Sequence, residues 1–234
     1  SLIVMDDGSF WVGDEHGPWL LHFGADGRLL EAPVELALGG SVLRSAAHPE
    51  VVDTGKVARI GASKGFEGLA RGLRTNTLIA MLEAPIPHDL AAGVRLLEYD
   101  LELRAWTGRE WLYPIDGASH AVSEIVRDPF SGADGYLVIE RDALQGPAAE
   151  FKKIFRVHLS RLPEKTLAVD LLNIADPDKL AGGTDHFRFP FLTTEALWPT
   201  APGELVVVND NNFPAAGGRS PVVSDPTEWI FLRE

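Results

Sequence analysis

The chain has 234 residues, of which 45% are hydrophobic and 24% charged, enough to bury a full core in one domain. Its 34 acidic residues outnumber its 21 lysines and arginines, and this formal charge of −13 excludes the basic surface that binds nucleic acid or anionic membranes. There is no cysteine and no run of about 18 apolar residues, which excludes disulfides, zinc–thiolate sites, thiol nucleophiles and membrane insertion. We therefore expect a cation or a small molecule as partner, with the oligomeric state left open.

Short apolar runs rich in Val, Ile, Leu, Phe and Trp alternate with clusters of Gly, Pro, Asp and Asn along the whole chain. This pattern is typical of strands and turns, and no stretch keeps a helical period with caps. We expect an all-β protein with few, short helices. The predicted strands are, in chain order, 9–14, 18–23, 28–36, 66–71, 77–83, 94–101, 109–114, 121–126, 136–141, 152–159, 166–173, 191–197, 204–209 and 227–232.

The strands group into units of roughly 50 to 70 residues with up to four strands each, a period that indicates β-propeller blades. The predicted fold is an all-β propeller of four-stranded blades. About four blades are visible here, either as the whole protein or as a fragment of a larger, about six-bladed propeller. The last unit stops after the WIFLRE sequence, short of a fourth strand. The segment 40–65 has little strand pattern and is predicted to be an ordered functional loop.

Three stretches repeat one arrangement of acids. A glutamate opens an apolar run, and a second acid follows about fifteen residues later, at the end of another apolar run. If each stretch is a β-hairpin, its first and last residues lie side by side at the open end. A ring of such hairpins would collect carboxylates on one face, where they bind a cation or shift their pKa values. The pairs are Glu67 with Glu83, Glu124 with Glu140, and Glu195 with Asp210.

Several fragments resemble one known family in their order along the chain. They are SFWVGDEHGPWLLHFGADGRLL, GFEGLA followed by LIAMLEAPI, LLEYDL, LVIERD followed by FKKIFRVHL, VVNDNNFP and DPTEWIFL. Together they are similar to the phytase-like, "esterase-like activity of phytase" proteins, and the resemblance covers essentially residues 1–234 as a single domain. It implies a β-propeller, calcium, a phosphoester or ester hydrolase activity, and a periplasmic or secreted location. Family members usually carry more sequence upstream, so the resemblance also implies missing N-terminal blades or a ring that closes differently.

Calcium takes six to eight oxygen ligands from carboxylates, amide side chains, backbone carbonyls and water. The four residues of the NDNN sequence at 209–212 are the densest group of such donors, and no EF-hand loop is present. Asp14 and Glu15 end the equivalent strand of the first unit. The predicted metal ligands are Asp14, Glu15, Glu67, Glu83, Glu124, Glu140, Glu195, Asp210 and Asn211.

A phosphate ester would be repelled by so many carboxylates unless a cation reversed the local charge. We predict that Glu67 or Glu140 acts as the base for an attacking water, with Arg141 beside it as a catalytic and anion-binding group. Lys64 and Arg219 are further candidates for substrate binding. The alternative for Arg141 is an ion pair bridging Glu140 and Asp142.

Two other functions stay open on the sequence. A lactonase-type propeller enzyme would hold one catalytic calcium with Glu, Asn and Asp, which fits the NDNN sequence. A non-catalytic propeller would use calcium for stability alone. The GASKG sequence at 61–65 matches the G-x-S-x-G pattern, but strand and turn follow Ser63 where a nucleophile elbow needs a helix. Of the scattered histidines, His16 is kept as a rim residue because it follows Glu15.

Overall fold

The computed structural model describes residues 1–89 and 93–233. It divides into two compact units, Ser1–Pro114 (unit 1) and Ile115–Glu234 (unit 2). The grouping of residues 1–234 into a single domain stays a prediction. In the described residues no helix is long and apolar enough to cross a membrane.

Unit 1 consists of antiparallel strands and one short helix. Its elements are β1 (Leu2–Val4), β2 (Phe10–Asp14), β3 (Trp19–Phe23), β4 (Val34–Glu35), β5 (Ala37–Leu38), β6 (Ser41–Val42), α1 (Pro49–Thr54), β7 (Phe66–Arg71), β8 (Thr77–Leu82), β9 (Val94–Asp100) and β10 (Ala105–Tyr113). Two four-stranded sheets have the orders β1-β2-β3-β4 and β10-β9-β8-β7, and β5 pairs with β6. The edge strands β1 and β7 contact each other, so the two sheets meet at their edges.

Unit 2 repeats this organisation with one strand fewer in its second sheet. Its strands are β11 (Ala121–Arg127), β12 (Gly135–Arg141), β13 (Lys152–His158), β14 (Lys165–Asp170), β15 (Ile174–Ala175), β16 (His186–Phe187), β17 (Thr194–Ala201), β18 (Glu204–Asn209) and β19 (Trp229–Arg233). The sheets have the orders β11-β12-β13-β14 and β17-β18-β19, and β15 pairs with β16. Single 3-10 turns cover Gly146–Ala148 and Leu159–Arg161.

Two strands, β8 and β12, are buried along their whole length, so both faces of each strand are covered. In unit 1 the Tyr99 ring packs against the rings of Trp11 and Trp106, with centroids 5.5 and 5.3 Å away. In unit 2 the core joins Leu137 and Ile139 of β12 to residues of the second sheet.

The predicted fold class is confirmed: the chain is all-β, in four blade-type sheets with sequential antiparallel strands, a β-propeller arrangement. The prediction of a strand over 28–36 is wrong, since only Val34–Glu35 form a ladder there beyond an isolated bridge at Leu29. A tight turn with Gly27 at φ +79° interrupts the run. Strand β1 was missed because it has only three residues.

The segment 40–65 is ordered, and it contains the one α-helix of the described residues. Helix α1 has six residues with Pro49 in its first turn and His48 as N-cap, whose Nδ1 accepts the Glu50 backbone N–H. No residue of α1 is buried, so its sequence lacks the apolar period by which helices are predicted.

Candidate metal centre

Three predicted metal ligands converge in unit 1. Glu15 follows β2, Glu67 is the second residue of β7, and Glu83 follows β8. One carboxylate oxygen of each lies within 4.8 Å of the others, and we call this group the Glu15–Glu67–Glu83 cluster. Glu83 is buried, at 4% exposure, while Glu15 and Glu67 are partly exposed. The cluster therefore joins three chain segments at the end of two sheets and stays open to solvent on one side.

Backbone hydrogen bonds through Gly65 bring the three segments together. The Gly65 N–H donates to the Glu15 carbonyl at 2.9 Å, and the Glu83 N–H donates to the Gly65 carbonyl at 2.9 Å. A Cβ at position 65 would lie 2.5 Å from the Glu15 carbonyl oxygen and 2.7 Å from the Pro18 side chain. Only glycine allows this approach, so Gly65 sets the spacing of the carboxylates.

A β-bulge recurs at the first glutamate of two repeats, Glu67 and Glu195, and directly before Glu124 in the other. The register shifts between Phe66 and Gly68, between Val122 and Glu124, and between Thr194 and Ala196. A bulge adds one residue to a strand and re-aims the side chains beside it. The acids therefore lie beside irregular positions of the ladder, which the simple hairpin geometry of the sequence did not include.

The cluster gathers three carboxylates, and a lysine lies beside it. Lys64 Nζ lies 2.6 Å from Glu83 Oε1, and the Lys64 side chain is 40% exposed. His16 Nε2 lies 3.8 Å from Glu15, and its Nδ1 lies 3.1 Å from the Ala62 carbonyl. An oxygen-only donor set of three carboxylates suits a hard divalent cation such as calcium.

Asp14 lies outside the cluster although it precedes Glu15. Its carboxylate accepts the Gly17 N–H and so closes the turn after β2. Both acids are predicted as metal ligands from the sequence because they are adjacent at the end of one strand. Successive side chains at a strand end point in opposite directions, so one of the two turns away.

Glu140 in unit 2 has a different environment from the cluster. It is fully buried, and its Oε1 accepts the Asp116 N–H at 2.8 Å and lies 3.0 Å from His120 Nδ1. Its Oε2 accepts from Lys165 Nζ at 2.6 Å, and the same ammonium lies 2.7 Å from Asp116. Both oxygens of Glu140 are thus engaged by donors, so side chains of the protein compensate its charge.

The other predicted ligands of unit 2 lie in β11, in β17 and directly after β18. Glu124 Oε1 accepts the Ile125 N–H at 2.8 Å, and Glu195 lies at the bulge of β17. Asp210 and Asn211 each accept the N–H of the residue two positions ahead, at 3.0 and 3.1 Å. These last two side chains close a turn, which is why polar residues follow β18 in a row.

The cationic candidates of unit 2 are both buried or paired. Arg141 is 9% exposed, in the fully buried strand β12. The neighbouring Asp142 accepts from Lys152 Nζ at 2.6 Å. Arg219 forms a two-pronged pair with Glu228, at 2.7 and 2.5 Å, and stacks over Phe187 and Phe191. The Arg219 site is a packed ion pair in which the guanidinium stabilises the local structure.

A second acidic group was not predicted from the sequence. Glu35, His48 and Glu50 also bring ligand atoms within 4.8 Å of one another. Lys56 and Arg44, through their hydrogen bonds, hold the pKa of Glu50 below its ordinary value, with contacts of 2.8 and 2.5 Å. Two cations already pair with the Glu50 carboxylate, and His48 caps the N-terminus of α1. The His48-Pro49-Glu50 sequence, with proline in the first turn, is the local signal from which this cap could be predicted.

The sheet topology and the carboxylate cluster define a β-propeller protein with an oxygen-rich candidate cation site. The family model Phytase-like, described as "Esterase-like activity of phytase", matches residues 1–213, and the chain belongs to this family.

One relative is an "Uncharacterized secreted protein" of Arthroderma benhamiae, 24% identical over 206 residues. The match covers 73% of this chain and 39% of that protein, so the chain spans about two fifths of the relative's length. Among solved structures, the β-propeller domain of Cps50 (Swd1) from Myceliophteria thermophila aligns with a TM-score of 0.41 and 11% identity. That alignment covers 90% of this chain and 50% of the other.

Proposed function

We propose that the protein is a calcium-dependent hydrolase of phosphate esters or related esters, and that unit 1 holds the metal. The observation that carries the proposal is the convergence of Glu15, Glu67 and Glu83 within 4.8 Å, with Lys64 paired to Glu83. Like charges at this spacing repel one another, and a divalent cation removes the repulsion. Membership of the phytase-like family supports an ester as substrate.

The three glutamates of the cluster are assigned different roles, metal binding or proton transfer, according to their burial. The buried Glu83 and the adjacent Glu15 would hold the cation, with the Glu15 and Gly65 backbone fixing their spacing. Glu67 would take a proton from the attacking water, because it is the partly exposed acid of β7. When bound, calcium would offset the carboxylate charge and polarise an ester oxygen.

Lys64 is the proposed contact for an anionic substrate. Its side chain is 40% exposed and its ammonium lies beside the cluster, so a phosphate oxygen would meet a positive charge there. Glu140 and Arg141 were predicted as catalytic groups in unit 2. Because both Glu140 oxygens accept hydrogen bonds, we propose that it positions His120 and Lys165, with Glu67 as the base.

A second candidate function is a structural cation site without turnover. It is favoured by the way the cluster ties together three segments, since an ion there would crosslink the ends of β2, β7 and β8. The lactonase alternative was based on the oxygens of the NDNN sequence. The Asn209 side-chain amide donates to the Pro226 carbonyl, and its side-chain oxygen accepts the Glu228 N–H. Both polar atoms of Asn209 therefore hold the segment that precedes β19 against β18.

Turnover of a chromogenic phosphomonoester separates these functions. We expect release of the alcohol in calcium, a loss of about a hundredfold or more in a chelator, and a similar loss in Glu67→Gln. Glu102→Gln is the matched control, an exposed acid of the same unit that lies outside the cluster. A calcium-dependent rise in melting temperature with no turnover of phosphate or carboxylic esters would instead establish the structural site.

We also propose a location outside the cytoplasm, periplasmic or secreted. The support is the fungal relative, whose description names it as secreted. Small-molecule esters are the proposed partners, and the acidic net charge argues against nucleic acid.

A further inference from the structure

A second concave site lies in unit 1, away from the carboxylate cluster. It is a cavity of about 330 Å³. We call it the His22 pocket, and it is lined by Met5, Trp11, His22, Arg71, Leu101 and Arg104 together with acidic residues of the β1–β2 and β3–β4 loops. The volume is at the lower end of the range for small-molecule sites, which limits the ligand to a compact molecule.

Strand direction places the two sites at opposite ends of the same sheets. Strand β2 begins next to the His22 pocket and ends at Asp14, beside the cluster. In β7 the order is reversed, since Glu67 belongs to the cluster and Arg71 to the pocket. Four residues of extended chain separate these two positions, about 13 Å. A ligand in one site therefore does not reach the other.

His22 is held in one orientation and one protonation pattern. Its Nδ1 lies 2.8 Å from Glu31 Oε1, and the other oxygen of Glu31 lies 3.1 Å from Arg104. An ionised carboxylate can only accept, so Nδ1 carries the hydrogen and the lone pair of the neutral ring is on Nε2. The imidazole also stacks on the Trp11 indole, with centroids 4.3 Å apart and planes at 8°. A basic nitrogen on a fixed ring is what general-base catalysis requires.

The other polar groups of the pocket have different roles. Ser9 Oγ donates to Asp7 Oδ1 at 2.6 Å, and these Ser9 bonds lower the pKa of Asp7, so Asp7 stays ionised and is a poor base. Arg71 donates to the Val4 carbonyl at 2.7 Å and approaches the exposed Asp6 at 3.4 Å. The charged groups around His22 are therefore Glu31, Arg104, Asp7, Arg71 and Asp6, and two of these are cations at the rim.

We propose that the His22 pocket is a metal-independent site for short-chain carboxylic esters, with His22 as its general base. Nε2 takes a proton from a water molecule while the water oxygen bonds to the ester carbonyl carbon. The carbon–oxygen bond to the alcohol then breaks, and the imidazolium returns the proton to the departing alkoxide. Ester and water give carboxylic acid and alcohol, with no other reactant. Glu31 is a positioning residue, and Met5, Trp11 and Leu101 provide the apolar wall for the acyl chain.

The test uses the full chain in excess chelator with p-nitrophenyl acetate as substrate. We expect His22→Gln to lower the rate above background by about tenfold or more. The matched control is His158→Gln, because His158 also faces a carboxylate, Asp134 at 3.2 Å, but lies in unit 2. An equal rate in wild type and His22→Gln, or an equal loss in His158→Gln, would overturn the proposal. The phosphomonoester assay of Glu67→Gln is independent of either result.

Two further measurements guard against a merely structural effect. Glu31→Gln should lower kcat and leave KM for p-nitrophenyl acetate nearly unchanged, since Glu31 contacts the imidazole and not the substrate. Nitrogen-15 spectra of the wild-type histidines should show His22 as the Nδ1–H tautomer. A change confined to KM, or an Nε2–H tautomer in the wild type, would refute the assignment.

Discussion

Glu83 and Glu140 occupy the same position in two repeats, but the charged groups around their carboxylates differ. Both are the second acid of a hairpin and both are buried, at 4% and 0% exposure. Around Glu83 stand two more carboxylates and one lysine, whereas Glu140 meets a histidine, a lysine and a backbone N–H. The comparison shows that acids at equivalent positions of a repeat can have different surroundings, so the repeat alone does not determine their function. At Glu83 three carboxylates converge, whereas at Glu140 hydrogen-bond donors surround one carboxylate.

The largest effect expected from this contrast is on stability in unit 2. Glu140→Gln should lower the free energy of unfolding by about 2 kcal/mol or more, because the nearly buried Lys165 ammonium loses its buried anion and keeps only the more exposed Asp116. Denaturant unfolding of the full chain measures this. Glu102→Gln, an exposed acid, should change the same free energy by less than about 0.5 kcal/mol. Equal midpoints for the two variants would break the comparison, since Glu140 would then need no compensation.

A smaller effect is expected from substitution of Lys64, and it should strengthen calcium binding while it weakens substrate binding. Two unit charges about 4 Å apart in water interact by about 1 kcal/mol, and a divalent ion doubles this before salt screening, so Lys64→Met should tighten calcium binding about fivefold or more. The same change should raise KM for a phosphate ester, because the substrate loses a cationic contact. Calorimetry and steady-state kinetics give the two values. If calcium binding weakened instead, Lys64 would be supporting the cluster and not opposing the cation.

The smallest expected effect concerns another compensated acid of unit 2. Hydrogen bonds from Ser160, and then from His158, lower the pKa of Asp134 to about 2. A depressed carboxyl pKa stabilises the fold above the unfolded value, about 3.9, and this contribution is lost as the pH falls toward 2. Asp134→Asn should therefore flatten the stability profile between about pH 4 and pH 2. An unchanged acid branch would show that Asp134 is not compensated as Glu140 is.

Much of the fold could be predicted from the sequence because strands β8, β12 and β18 contain uninterrupted apolar runs of four or more residues. The hairpin geometry of Glu67 and Glu83 also predicted their meeting, and Glu15 joined them as the acid at the end of β2. The bulges were beyond prediction, since a one-residue register shift leaves the hydrophobic pattern almost unchanged.

The partners of Glu140 could not be predicted for a different reason. His120 precedes β11 and Lys165 opens β14, so their contact with β12 depends on the register of the whole sheet. No local motif records that register. The metal assignment of Glu140 therefore rests on the repeat alone, that of Asp14 on its neighbour Glu15, and that of Asp210 on both the repeat and the NDNN sequence. Their side chains instead close turns of their own segments.

The central claim is that the Glu15–Glu67–Glu83 cluster binds calcium, and titration calorimetry of the full chain tests it most directly. We expect the wild type to bind calcium, and Glu67→Gln to bind it at least about tenfold more weakly, because the cluster loses one of the three negative charges that attract the ion. Glu102→Gln should match the wild type. Identical binding by the wild type and Glu67→Gln, or no heat of binding in either, would contradict the account.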